Sequence, residues 1–278
     1  MSENFKASFL KTLWIVRDYL PFIVIGGGWV PLLYYHYLLA DKSKEPLRTR
    51  DIDLLVNVKL PVIRDKTVDQ LLQEAGFERK FKSADTPPVI HYEGTIDEVE
   101  VEVKFLTDQT GAKEDVAIEV QKGLHAEALR FASVAISNVI EVVIDDFWIG
   151  EELRELKVKV PSPEAYIFHK GLTFVRRKNE QKKAKDLYYV FDILANCPQL
   201  REGIITGLRE FKEAYPTWFF RFIKNLKGNF SDIASDGIPM LLTQRPTGVF
   251  PKLNEDQFKQ YVFGIFQELL RDLNSKDK

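Results

Sequence analysis

The spacing of apolar residues divides the chain into two stretches of different character. Over residues 4–20, Phe5, Phe9, Leu13, Val16 and Leu20 recur at helical spacing and predict an opening amphipathic helix. The apolar run Phe22 to Ile25 predicts a strand, the glycines Gly26, Gly27 and Gly28 a turn, and the residues from about Trp29 to Ala40 a helix. A polar linker, 41–50, leads to Asp51–Val58, whose apolar positions Ile52, Leu54, Leu55 and Val56 predict a buried strand. Val68 to Ala75 reads as a helix ended by Gly76, and Val89–Tyr92 and Val99–Leu106 as two strands separated at Gly94. In the second of these, Glu98, Glu100, Glu102 and Lys104 share one face while Val99, Val101, Val103 and Phe105 share the other. One face is therefore buried and the other strongly polar.

Signals over 119–147 are mixed, but Val158–Val160 followed by Pro161, Ser162, Pro163 and Glu164 is a sharp boundary. There Ser162 is placed to cap a helix with Pro163 at its first position and Glu164 near its positive end. Helix is predicted over 164–195, 202–227 and 255–273, the last with Phe258, Val262, Ile265 and Leu269 as its stripe and Asn254 as its cap. Ser231–Leu253, with Gly237, Pro239, Pro246, Gly248 and Pro251, reads as a long loop. The expected class is α/β (α+β): a mixed-sheet domain over residues 1–160 followed by an α-helical domain over 161–278.

Composition narrows the function. Thirty-nine Lys and Arg against 41 Asp and Glu give a net charge of −2, so no global positive field draws the chain onto nucleic acid. The single cysteine, Cys197, excludes a disulfide framework and a Cys-rich zinc site, and it agrees with a reducing, cytoplasmic setting. Tyr19 to Ala40 carries no formal charge, but Pro21, Pro31 and the three glycines interrupt it, so no membrane span is expected. No signal peptide is expected either, because Lys6, Lys11, Arg17 and Asp18 break up any apolar leader.

The chemistry converges on one constellation. A strand ends in a triple-glycine turn that opens a helix, and a second strand then presents Asp51 and Asp53 two residues apart on one face. Glycines let backbone N–H groups approach an anion, and paired carboxylates repel unless a divalent cation or a proton lies between them. A third carboxylate, Glu100 or Glu102, would complete a ligand set for Mg²⁺ or Mn²⁺ with a nucleoside triphosphate. A dinucleotide-binding reading fails because Pro31 replaces the third glycine of its fingerprint. A glycosyltransferase with an Asp-x-Asp metal site leaves the glycine turn unexplained. His36, His91, His125 and His169 show no ligand spacing and read as packing or surface residues. The basic run from Lys170 to Lys185 reads either as an exposed helix end or as a phosphate contact. Phe211, Trp218, Phe219, Phe220 and Phe222 read as helical core.

The residues Ile25-Gly26-Gly27-Gly28-Trp29 and Arg48-Thr49-Arg50-Asp51-Ile52-Asp53-Leu54-Leu55 resemble the signature of the nucleotidyltransferase superfamily typified by DNA polymerase beta. The stretch Arg48-Thr49-Arg50-Asp51-Ile52-Asp53 is similar to the branch that includes the AbiEii-type toxins of abortive-infection and type IV toxin–antitoxin systems. Val160-Pro161-Ser162-Pro163-Glu164, His169-Lys170, Arg176-Arg177 and Lys185-Asp186-Leu187-Tyr188-Tyr189 resemble the elements that follow the catalytic domain there. The resemblance implies that Gly26 and Gly27 cradle the triphosphate and that Asp51, Asp53 and Glu102 bind metal, with Glu100 as competitor for the third place. It further implies that Lys170 reaches the phosphates, with Arg177, Lys185 and Asp186 supporting or contacting nucleotide in a cleft between the domains. The implied reaction moves a nucleotidyl group from an NTP to an acceptor hydroxyl on RNA, such as a tRNA 3′ end, or on a protein. A toxin role with a neutralising antitoxin comes from the same resemblance. A catalytically silent binding module of this fold is the alternative. Two departures stand out: serine is common in the family where this chain has Gly27, and the gap from Gly27 to Asp51 is long.

Overall fold

In the computed structural model the described residues are 3–47, 49–57, 59–81, 90–109, 116–245, 250 and 252–275. Arg48, Val58, Val89, Pro246, Gly248 and Pro251 lie outside them. Contacts divide the chain into two compact units, Met1–Ser162 and Pro163–Lys278. Among the described residues no helix is long and apolar enough to cross a membrane.

In the first unit α1 (Glu3–Ile15) ends earlier than its periodicity suggests, and the chain continues as a 3-10 turn, Arg17–Phe22, holding Pro21. Phe9, Leu10 and Leu13 are buried, and Phe9 stacks on Trp29 with ring centroids 4.0 Å apart. Strand β1 (Ile23–Ile25) runs into Gly26, a 3-10 turn over Gly27–Trp29, α2 (Val30–Leu33) and a π-turn over Tyr34–Leu38. The helix expected from Trp29 is thus present but changes pitch twice. Strand β2 (Asp51–Val56) is followed by α3 (Val68–Glu74), started by a capping box between Thr67 and Gln70, and then by β3 (Glu78–Phe81).

Gly94 does not separate two strands, contrary to the sequence reading. It lies inside β4 (Ile90–Ile96), where a Cβ would come within 2.7 Å of the Phe77 ring. The reversal into β5 (Val99–Asp108) is made by Asp97 and Glu98 at φ 49° and 64°, a two-residue hairpin turn in left-handed conformation. Strands β6 (Ala117–Gln121) and β7 (Leu124–Leu129), helix α4 (Ala132–Ser137), and the long hairpin of β8 (Val139–Ile149) and β9 (Glu152–Pro161) resolve the mixed signals of 119–147.

Among the described residues the strands form one mixed sheet in the order β3-β4-β5-β2-β1-β9-β8, with β7 parallel to β5 and β6 antiparallel to β7. Strands β1 and β2 are antiparallel, while β2 and β5 are parallel. Register decides which side chains share a face. Val24, Leu55, Ala132 and Ala135 form a buried cluster on the face that begins, nearer the start of β2, with Asp51 and Asp53. One strand face is therefore polar at one end and covered by α4 at the other.

The second unit is helical: α5 (Pro163–Thr173), α6 (Glu180–Asn196), α7 (Arg201–Ala214), α8 (Pro216–Phe230), α9 (Gly237–Leu242) and α10 (Glu255–Asn274). Helix α9 falls inside the stretch read as loop; Ile238 and Leu241 are buried and give it its packing face. Ser162 does not cap α5 with its side chain: its Oγ is buried and has no hydrogen-bond partner among the described residues, and its backbone N–H donates to Asn138 O. Asn254 does cap α10, in a capping box with Gln257. Phe168 packs among Phe211, Phe219 and Phe222, and Phe230 stacks on Phe266 at 3.6 Å. Each such buried ring contributes roughly 1.5–3 kcal/mol from area alone. Phe220, read as core, is instead 70% exposed.

Candidate active site

The acidic pair sits at the start of β2, where the strand leaves the polar linker and has not yet passed under α4. Asp51 and Asp53 share a face, and β1 brings the glycine turn against them: Gly26 N–H donates to Asp53 O at 2.7 Å. Gly27 adopts φ +62°, and a Cβ there would lie 2.2 Å from Asp53 Oδ2. The absent side chain is therefore the space in which that carboxylate oxygen rests. Only glycine meets both demands, the left-handed backbone and the close approach.

Strand register extends the site across four strands. Glu78 pairs with Glu93, Glu93 with Glu102, and Glu102 with Asp51, forming one row of four acids. The next row pairs Lys80 with His91, His91 with Lys104, and Lys104 with Asp53. Directly paired residues face the same way, so an acidic row and a row of Lys80, His91 and Lys104 that ends in Asp53 lie side by side on one surface. Lys104 joins them: its Nζ donates to Asp51 Oδ2 at 2.8 Å and lies 2.9 Å from Glu102 Oε1. Burial disfavours its charge, but the hydrogen bonds to Asp51 and Glu102 and the nearby Asp53 charge outweigh it, so Lys104 titrates above its ordinary value. His91 Nε2 lies 2.8 Å from Glu93 Oε1 and 3.6 Å from Glu102 Oε1. A cleft of about 600 Å³ opens beside Asp51 and Glu102, lined also by Arg50, Lys80, Glu93 and Glu100.

Of the two candidates for the third carboxylate, Glu102 stands opposite Asp51 and is 26% exposed, whereas Glu100 is 85% exposed and reaches Arg50 at 4.0 Å. Gly26, Gly27, Asp51, Asp53 and Glu102 are brought together; Arg48 is outside the described residues. Lys104 was missed as a site residue. Its place two residues after Glu102 shows that it shares the face, but only the β2–β5 register shows that it lands between the carboxylates.

The other predicted residues gather in the second unit. Lys170 Nζ donates to Asp186 Oδ1, and Arg177 Nε donates to Asp186 Oδ2 at 2.8 Å. The side chains of Lys170 and Asp186 are 8% and 6% exposed. Burial would raise the Asp186 pKa, but the charges of Lys170 and Arg177 outweigh it and hold it below the ordinary carboxylate value. Lys170 and Lys185 both lie near the Tyr189 ring, at 5.7 Å from its centroid. Lys170, Arg177 and Asp186 thus tie α5 to α6 by a buried ion-pair cluster, with Lys185 flanking it.

A profile of the family described as nucleotidyltransferase matches residues 17–201, more than half of the chain, and the chain belongs to that family. A crystal structure of an antigenic nucleotidyltransferase-like protein from Paracoccidioides brasiliensis is similar over 80% of this chain and 93% of its own, at 18% identity and a TM-score of 0.40. No curated protein matches the chain.

The resemblance drawn from the motifs implies a divalent ion, which the donor set must be able to hold. Asp51 and Asp53 supply hard oxygens on one face beside the glycine cradle, which fits Mg²⁺ or Mn²⁺. Among the described residues, however, no group of three or more His, Cys, Asp and Glu side chains is close enough to hold a metal. Glu102 converges with Asp51 on an ammonium group instead.

Proposed function

We propose that this nucleotidyltransferase-family chain transfers a nucleoside monophosphate from an NTP to an acceptor hydroxyl, with Asp51 and Asp53 as the acidic pair of the site. The observation that carries the reading is the junction of Gly27 with Asp53: a glycine turn with a left-handed residue abuts a carboxylate on a neighbouring strand. The glycine turn, with Asp53 seated over Gly27, would present its backbone to the triphosphate. Asp51 and Asp53 would hold Mg²⁺ or Mn²⁺, which when bound supplies positive charge against the phosphates and lowers the pKa of the acceptor hydroxyl. Asp53, fixed through its backbone to Gly26 and by its carboxylate over Gly27, sets the acidic pair relative to the phosphates. The cleft beside Asp51 and Glu102 gives an acceptor room to enter. Resemblance to the AbiEii-type toxins supports an RNA or protein acceptor. If growth slows equally on expression of the wild type and of Asp51→Ala, nucleotidyl transfer is not the cause of toxicity.

Lys104, lodged between Asp51 and Glu102, favours a second reading, a module of this family that binds nucleotide without transferring it. Calorimetric titration with non-hydrolysable NTP analogues, with and without Mg²⁺, tests the site without needing the acceptor. Magnesium-dependent binding that is lost in Asp51→Asn, Asp53→Asn supports a nucleotide site, and labelled-NTP transfer then separates the two readings. A well-folded wild type that binds no NTP rules out both.

A further inference from the structure

The charge arrangement around β5 assigns a role to a residue outside the family signature. Two carboxylates from parallel strands point at one nitrogen: Asp51 Oδ2 at 2.8 Å and Glu102 Oε1 at 2.9 Å from Lys104 Nζ. The Lys104 side chain is 13% exposed and that of Glu102 26%, while Asp51 is 40% exposed, so the ammonium is largely withdrawn from water and Asp51 is the partner that solvent reaches. A divalent ion held by the same two carboxylates would lie close to the ammonium, and like charges that close repel. Ammonium and metal therefore exclude one another at Asp51 and Glu102.

We propose that Lys104 is the resident cation of this cluster, holding Asp51 and Glu102 together in the absence of metal and shutting free divalent ions out of them. A metal engages these carboxylates only when Lys104 gives way, and the negative charge of a bound triphosphate offsets the positive charge gained on entry. Capture of metal thereby becomes conditional on nucleotide. This rests on the reading of Asp51 as a metal ligand. The lysine acts as a positioning and gating residue and need not touch substrate.

The test is Mn²⁺ binding without nucleotide, followed by the electron paramagnetic resonance signal of free Mn²⁺, in wild type, Lys104→Gln, Lys104→Met and Lys104→Arg. Circular dichroism and thermal melts establish that each is folded. Both neutral variants are expected to bind Mn²⁺ at least tenfold more tightly than wild type and to gain melting temperature with Mn²⁺, while Lys104→Arg stays near wild type. Adding Glu102→Gln to Lys104→Gln is expected to abolish the gain. Folded neutral variants within twofold of wild type would overturn the proposal, as would a gain that survives Glu102→Gln. The two readings fail separately. Tight Mn²⁺ binding in Lys104→Gln with no NTP binding by wild type removes the transferase and leaves the resident cation. Mg²⁺-dependent NTP binding by wild type with unchanged Mn²⁺ affinity in the variants does the reverse.

Discussion

Gly27 and Asp53 occupy one space: the position a Cβ on Gly27 would take lies 2.2 Å from Asp53 Oδ2. Gly27→Ala is therefore expected to displace the carboxylate as well as to strain a backbone at φ +62°, the strain alone costing roughly 1–2 kcal/mol. Nucleotide affinity should fall at least tenfold. Gly26→Ala is the control. Its Cβ meets the Leu55 side chain at 2.1 Å, a core contact, and its φ of −114° suits any residue. Titration with an NTP analogue should show the larger loss in Gly27→Ala, and equal losses would refute this account of the turn.

The buried cluster of the second unit predicts an asymmetric response to mutation. Lys170→Met leaves Asp186 facing Arg177 alone and should cost about 3–5 kcal/mol of stability. Lys170→Met with Asp186→Leu removes both buried charges and lets Arg177, 33% exposed, turn to water, so most of the loss should return. Urea denaturation of the three proteins checks this. A double variant no more stable than the single would show that the pair contributes more than charge compensation.

Acid dependence follows from the same carboxylate. The Asp186 pKa is depressed in the fold, so the unfolded chain takes up the proton first as pH falls. Its contribution is fully present above about pH 5, declines as pH drops through the ordinary carboxylate value near 4, and is lost below the folded value. The difference in melting temperature between wild type and Asp186→Asn should accordingly be widest near neutral pH and narrow below about pH 4. A difference constant down to pH 3 would contradict the depressed pKa.

Two helical glycines should respond in opposite ways to alanine. A Cβ on Gly171 in α5 would lie 2.4 Å from Phe222 Cε2, so Gly171→Ala should destabilise by about 1–3 kcal/mol through overpacking. Gly264 in α10 has nothing among the described residues within 4 Å of its Cβ position, so Gly264→Ala should stabilise by roughly 0.5–1 kcal/mol. Thermal melts of the two single variants suffice to compare them.

Much of the fold was legible because local patterns agreed with tertiary demands. Of the stripe Phe258, Val262, Ile265 and Leu269, all but Ile265 are buried behind the Asn254 cap, Phe266 taking the buried place beside it, and the alternation of 99–105 places Val101, Val103 and Phe105 inside. The misses have physical causes. Gly94 suggests a turn, but it is glycine to admit Phe77, and the turn is made by Asp97 and Glu98, of which only aspartate is a residue type that visits the left-handed region with some frequency. Helix α9 was hidden because Pro239 and Gly237 mark its first turn and not a loop. At the site, the position of Asp51 beside the glycines could be expected from the motif. That of Lys104 could not, because it depends on register between strands separated by more than forty residues in the chain.

That register also has a consequence for how the protein folds. Strands β1 and β2 form a comparatively local antiparallel pair, whereas β2 meets β5 in parallel only after β3 and β4 have been traversed. Non-local parallel pairing is slow to form, so the glycine turn and Asp53 are expected to come together before β5 docks. Until then Asp51 and Asp53 repel one another with no counter-charge beside them. Docking of β5 brings Glu102 and, two residues later, the ammonium that neutralises the cluster. The strand that adds the further negative charge thus delivers its own counterion in the same step, and the chain closes its acidic site without waiting for an ion from solution.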